Sequence, residues 1–98
     1  MFRSGHIKST AEKFGGKKIA ESYEWVHDWL DSVAQRGVKL NKHRQYRHHE
    51  RALRDEFISF IKDHHAETDM DLALQIARQH ILDDLGCIPE NEIDFIIG

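Results

Sequence analysis

The sequence has little of what staples or interrupts a chain: one cysteine, Cys87, one proline and six glycines in 98 residues. A lone cysteine closes no internal disulfide and rules out a thiolate-rich zinc site; it suits a reducing compartment. No apolar run exceeds three residues, and the start, Met1 to His6, has no apolar leader. The expectation is therefore a cytoplasmic protein with no membrane contact. Long period-two alternation is missing too, as are internal repeats and low-complexity linkers, so neither sheet nor disordered chain is expected. With 40% hydrophobic and 32% charged residues, the composition reads as one helical domain over residues 1–98.

What is abundant is histidine, at eight residues. Charge is also unevenly spread. The net charge is −3, but residues 1–54 carry 12 Lys/Arg against 6 Asp/Glu, and residues 55–98 carry 2 against 11. The basic excess is densest from Arg36 to Arg54, where only Glu50 opposes it. Such a stripe is either a solvated face balanced by the acidic half or a surface for phosphate or nucleic acid. The overall acidity weighs against strong non-specific DNA affinity. Opposite charge on the two halves also allows head-to-tail self-association into a homo-oligomer.

Periodicity predicts four main helices. Ser9-Thr10-Ala11-Glu12 has capping-box spacing and opens a helix over 9–14, stopped by Gly15-Gly16. Ser22 caps a second helix over 22–35, with Tyr23, Val26, Leu30 and Val33 on its core side and Trp25 and Trp29 on a second ridge. A third runs over 41–64 on Tyr46, Leu53, Phe57, Phe60 and Ile61. Thr68 and Asp71 give the capping signal for a fourth over 69–85, with Met70, Ala73, Leu74, Ala77, Ile81 and Leu85 buried and Gly86 ending it. One or two turns follow around Ile93–Ile97. The expected architecture is all-α, a compact bundle of four to five helices.

On this frame two helices carry the same ridge beside their core stripes, His27-x-x-x-Asp31 and His80-x-x-x-Asp84. His43 and His49 lie at margins of the third helix. A single histidine beside a core stripe is usually a hydrogen-bonded structural residue. Several on separate helices are placed to converge, so His27, His80 and either His43 or His49 form a candidate metal pocket. Imidazoles with carboxylates suit a divalent transition ion such as Zn, Fe or Mn. No organic cofactor is indicated. The doublet His27-Asp28 is also similar, at the level of fold analogy, to that of metal-dependent phosphohydrolases of the HD type.

Four blocks together resemble a small uncharacterised protein family found in bacteria and their phages. They are His6-x-x-Ser9-Thr10-Ala11-x-x-Phe14-Gly15-Gly16; Val26-His27-Asp28-Trp29-x-Asp31; His43-Arg44-x-x-Arg47-His48-His49; and His80-x-x-x-Asp84-Leu85-Gly86-x-Ile88-Pro89. The resemblance implies a shared fold but no known activity. It singles out His6, His27, His43, His48, His49 and His80 with Asp31, Asp84, Arg44 and Arg47, and leaves out His64 and His65.

Three functions compete. In the first, His6, His27, His43, His49 and His80 hold a metal and Asp31 and Asp84 act in catalysis. Arg44, Arg47 and His48 then bind a phosphate-containing substrate, so the protein is a metal-dependent hydrolase. In the second, the Arg36–Arg54 stripe binds a nucleotide or nucleic acid without catalysis. In the third, the protein is an interaction module, for example a phage-encoded inhibitor.

Overall fold

The computed structural model describes residues 3–32 and 47–91. Helix α1 spans Arg3–Phe14 and so starts well before Ser9. The capping-box reading of Ser9 is corrected: Thr10 is buried mid-helix, and its hydroxyl donates back to the His6 carbonyl at 2.9 Å. Gly15 and Gly16, at φ 127° and 102°, then break the helix where a side chain would be strained.

The chain re-enters a short helix, α2 (Lys17–Ser22), and after one non-helical residue forms α3 (Glu24–Asp31). Ser22 therefore ends a helix and does not open one. The break at Tyr23, with φ −117° and ψ 17°, turns its ring into the core, and its hydroxyl accepts from the Asp69 backbone N–H at 3.3 Å. The expectations for Val33, Tyr46, the first turns of the 41–64 helix and the tail at Ile93–Ile97 lie outside the described residues.

Helix α4 covers residues 50–64 in three consecutive pieces: one turn at Glu50–Ala52, a π-helical stretch at Leu53–Phe57 and a regular helix at Ile58–His64. Its start is later than expected because His48 and His49 are non-helical. His49 is extended, with φ −156°, and its Nδ1 accepts from the Ala52 N–H at 3.1 Å. The next free N–H groups, of Glu50 and Arg51, donate to the Pro89 and Glu90 carbonyls, each at 2.9 Å. In an α-helix, residues four apart drift by about 40°. The wider π turn offsets that drift, so Leu53, Phe57 and Ile61 all bury on one line.

Helix α5 (Met70–Leu85) is capped by Asp69, whose side chain accepts from the Leu72 N–H at 3.1 Å, and ends at Gly86 in the left-handed region. Thr68, expected to cap it, instead donates to the His65 carbonyl. The core joins Tyr23, Val26, Trp29 and Leu30 to Leu53, Phe57 and Ile61 and to Ala73, Ile76, Ala77 and Ile81. The protein is an all-α bundle, with no strand among the described residues. Helices α1 and α3 both pack on α5, which brings their polar ridges face to face.

Candidate metal centre

Each of the three packed helices contributes a pair of polar residues four apart: His6 and Thr10 from α1, His27 and Asp31 from α3, His80 and Asp84 from α5. Spacing of four puts both members on one ridge, and the three ridges meet. His48 enters from the non-helical segment before α4. All four histidines are buried, as is Thr10. The cluster is therefore part of the interior, at a desolvation cost that only pairing can offset.

Two layers can be separated. In the first, four donor atoms surround one point: Asp31 Oδ1, Asp84 Oδ2, His48 Nε2 and His80 Nε2. His80 Nε2 lies 3.4 Å from Asp31 and 3.3 Å from Asp84; His48 Nε2 lies 3.7 Å from Asp31 and 3.1 Å from Asp84. A tetrahedral ion with bonds of about 2.0–2.1 Å separates its ligands by about 3.3 Å. The four edges bracket that length. His80 Nε2 is buried without a well-aligned hydrogen bond to either carboxylate, as expected of an atom directed between them, whereas His48 Nε2 is hydrogen-bonded to Asp84 Oδ2 at 3.1 Å.

The second layer orients the first. Thr10 has one hydroxyl proton, donated to the His6 carbonyl. Its oxygen, 2.9 Å from His27 Nε2, is then an acceptor, so His27 carries its proton on Nε2 and accepts at Nδ1. The two Nδ1 atoms of His27 and His80 are 2.8 Å apart, and the donor there is His80. The Nδ1 proton of His80 is thereby fixed, and Nε2, facing the carboxylates, is the atom that takes up or releases the ring's second proton. His6 completes the layer, stacked on the His80 ring with centroids 3.6 Å apart and Nε2 3.2 Å from Asp84 Oδ1.

The electrostatics agree with this polarity. Burial pushes His27 down to about 3, helped by the neighbouring His80 and His6, so it is a neutral relay. Burial likewise pushes His48 down to about 4, against the hydrogen bond to Asp84. Burial lowers His80 as well, but Asp31 and Asp84 outweigh it and its pKa rises. Burial raises both carboxylates, and the facing histidines reverse this: Asp31 falls, and Asp84 is held far below the carboxylate range. The two carboxylates thus favour a cation at His80 Nε2, and a divalent ion in place of a proton there would leave the set neutral, the favourable state in a buried site.

Of the residues singled out in the sequence, His6, His27, His80, Asp31 and Asp84 come together here. His49 does not join them; it caps α4. His43 and Arg44 lie outside the described residues. His48, assigned to phosphate binding, sits among the donor atoms instead. Arg47 turns to the end of α3: its guanidinium donates to the Trp29 carbonyl at 2.6 Å and to Ser32 Oγ, 4.3 Å from the centroid of the Trp29 ring. Asp28, second residue of the His-Asp doublet, pairs at the surface with Arg3 at 2.9 Å; the HD-type analogy fails on that residue. Thr10, which the sequence pattern places at a helix start, instead lies one turn after His6 on the same ridge. Of the basic stripe, Arg36, Lys39, Lys42 and Arg44 are not described. Arg51 and Arg54 face Asp55 at 3.5 Å and Glu90 at 2.7 Å. His65 stacks on Trp25, centroids 3.8 Å apart, away from the cluster.

The chain matches the model of a protein family described as Domain of unknown function (DUF6915) over residues 1–97. No curated protein and no solved structure matches it. None of the described helices is long and apolar enough to cross a membrane.

Proposed function

We propose, for a chain that belongs to the DUF6915 family, that it binds one divalent transition-metal ion through Asp31, His48, His80 and Asp84. One observation carries the reading: four buried or half-buried donors from three separate elements lie within 4.8 Å of one another, with each imidazole nitrogen 3.1–3.7 Å from each carboxylate. Two imidazoles and two carboxylates with tetrahedral edges suit Zn first, with Fe and Mn as competitors. Calcium is disfavoured, since it takes six to eight oxygens. His27 and Thr10 act behind His80, as partners of a metal-bound imidazole do. A hydrolytic role for the site needs a coordination position open to substrate.

Protein purified without a histidine tag, stripped with chelator and titrated with Zn(II), tests this. One equivalent is expected to bind. At a free concentration one hundred times Kd, the folded state gains about 2.7 kcal/mol, which at about 4–8 °C per kcal/mol raises Tm by some 10–20 °C. Asp84→Ala or His48→Ala should abolish both. Less than about a tenth of an equivalent of Zn, Fe or Mn, without a rise in Tm, refutes metal binding.

A further inference from the structure

The four donors are not equally enclosed. The side chains of His48 and His80 are 0% exposed and that of Asp84 is 3% exposed, whereas that of Asp31 is 26% exposed. Asp31 also makes the two longest edges of the set, 3.4 and 3.7 Å, against 3.1 and 3.3 Å for Asp84. It is the last residue of α3, whereas Asp84 lies inside α5 with each of its two oxygens facing histidine. The enclosed part of the site is thus a tripod of His48, His80 and Asp84, and Asp31 closes its solvent edge.

From this asymmetry we infer that Asp31 is an exchangeable ligand, and that the position it leaves takes an anionic oxygen from a phosphate or carboxylate ligand. The inference rests on the metal-binding reading. A divalent ion on two neutral imidazoles and one carboxylate keeps one positive charge. In a largely buried site that charge selects an anionic ligand, as Asp31 itself is. An anion reaching the ion from the Asp31 side meets the most exposed of the four donors, so entry does not require the helices to separate. Three protein ligands and one exchangeable position are also the arrangement of zinc sites that polarise a bound oxygen.

Co(II) is a suitable probe, because its visible spectrum reports coordination directly. Wild-type protein, Asp31→Ala and Asp84→Ala are stripped, titrated with Co(II), and then titrated with inorganic phosphate or acetate. Asp31→Ala is expected to bind one equivalent, with Asp84→Ala binding at least about tenfold more weakly than Asp31→Ala. Phosphate or acetate should shift the spectrum of Co(II)-loaded Asp31→Ala at lower concentration than that of the wild type, because no carboxylate competes. The stronger of the two anions assigns the ligand class. If Asp31→Ala loses Co(II) as completely as Asp84→Ala, Asp31 is a fixed ligand and the inference falls. It falls equally if Co(II)-loaded Asp31→Ala responds to neither anion. Should the alanine variant not fold, judged by circular dichroism, Asp31→Asn answers the same two questions with the side-chain volume kept. A wild type that takes up no Co(II) overturns the metal reading, a separate result from either of these.

Discussion

Thr10→Val separates the outer layer of the cluster from its ligands. Valine keeps the branched shape, so no cavity opens, but the oxygen that accepts from His27 Nε2 at 2.9 Å is gone. The His27 N–H is then left in the interior without a partner, at a cost of about 1–3 kcal/mol. For a domain of this length, that corresponds to a fall in Tm of roughly 5–20 °C. A second effect follows from tautomer choice. Without Thr10, His27 is no longer obliged to protonate Nε2, and His80 loses its obligatory acceptor at Nδ1. A fraction of His80 then carries its proton on Nε2, where the metal must bind. Loss of such an outer partner typically costs about 10–100-fold in metal affinity.

Thr10→Ser is the control, since it retains the hydroxyl and loses only a methyl. The assays are urea denaturation of stripped protein, Zn(II) titration of each variant, and nitrogen-detected NMR of the imidazoles. NMR should show His27 protonated at Nε2 in the wild type and in Thr10→Ser, and a mixture of tautomers in Thr10→Val. Equal stability, affinity and tautomer in the valine and serine variants would refute the relay, because then the hydroxyl orients nothing.

Stripped protein should be most stable near pH 6.5, the ordinary histidine value. His48 and His27, held at about 4 and about 3, contribute stability that is lost as pH falls below 6.5 toward those values; the raised His80 contributes stability fully present below 6.5 and lost as pH rises through its folded pKa. Denaturant titrations across pH check this, and a flat acid limb would contradict it; with Zn(II) bound, the alkaline fall should vanish, since the metal replaces the His80 proton. Phe57→Ala should cost about 3–5 kcal/mol by urea denaturation, because the ring is fully buried and packs against Trp29 at 4.8 Å between centroids and Trp25 at 5.9 Å.

The ridges were legible in the sequence because helical periodicity is local. His27 with Asp31 and His80 with Asp84 need only spacing of four to share a face, and both pairs do lie in helices that pack together. The site is less legible where the chain leaves the helix. Facing arithmetic for His43, His48 and His49 assumed a helix from residue 41. At His48 and His49 the backbone is not helical, and His49 is extended. In that geometry adjacent residues point apart, so His48 faces Asp84 while His49 caps α4. The cause is remote: the carbonyls that hold the first turn of α4 belong to Pro89 and Glu90, nearly 40 residues away. Spacing cannot report such a contact. Thr10 was hidden for a related reason, because Ser9-Thr10-Ala11-Glu12 satisfies the local pattern of a helix start while α1 begins at Arg3.

The cluster also bears on what the fold requires for its own stability. Four buried histidines and two carboxylates replace what would otherwise be the apolar centre of three packed helices. Buried ionic groups of this kind rarely hold a fold together better than apolar side chains of the same volume. Among the described residues a separate apolar cluster runs from Tyr23 through Phe57 to Ile81. A helical bundle of this size could close without a polar centre, so packing does not account for three imidazoles facing two carboxylates with a fourth, His27, behind them. The proposed metal binding would: the same desolvation that makes the stripped cluster costly makes its donors poorly solvated and pre-positioned, so that an ion entering them pays little to organise its site. The two carboxylates and the His80 Nε2 atom between them, with the ring's other proton fixed on Nδ1, point the cluster toward a cation. Loss of stability on stripping the metal, greatest where His80 is deprotonated, is therefore the thermodynamic counterpart of the affinity.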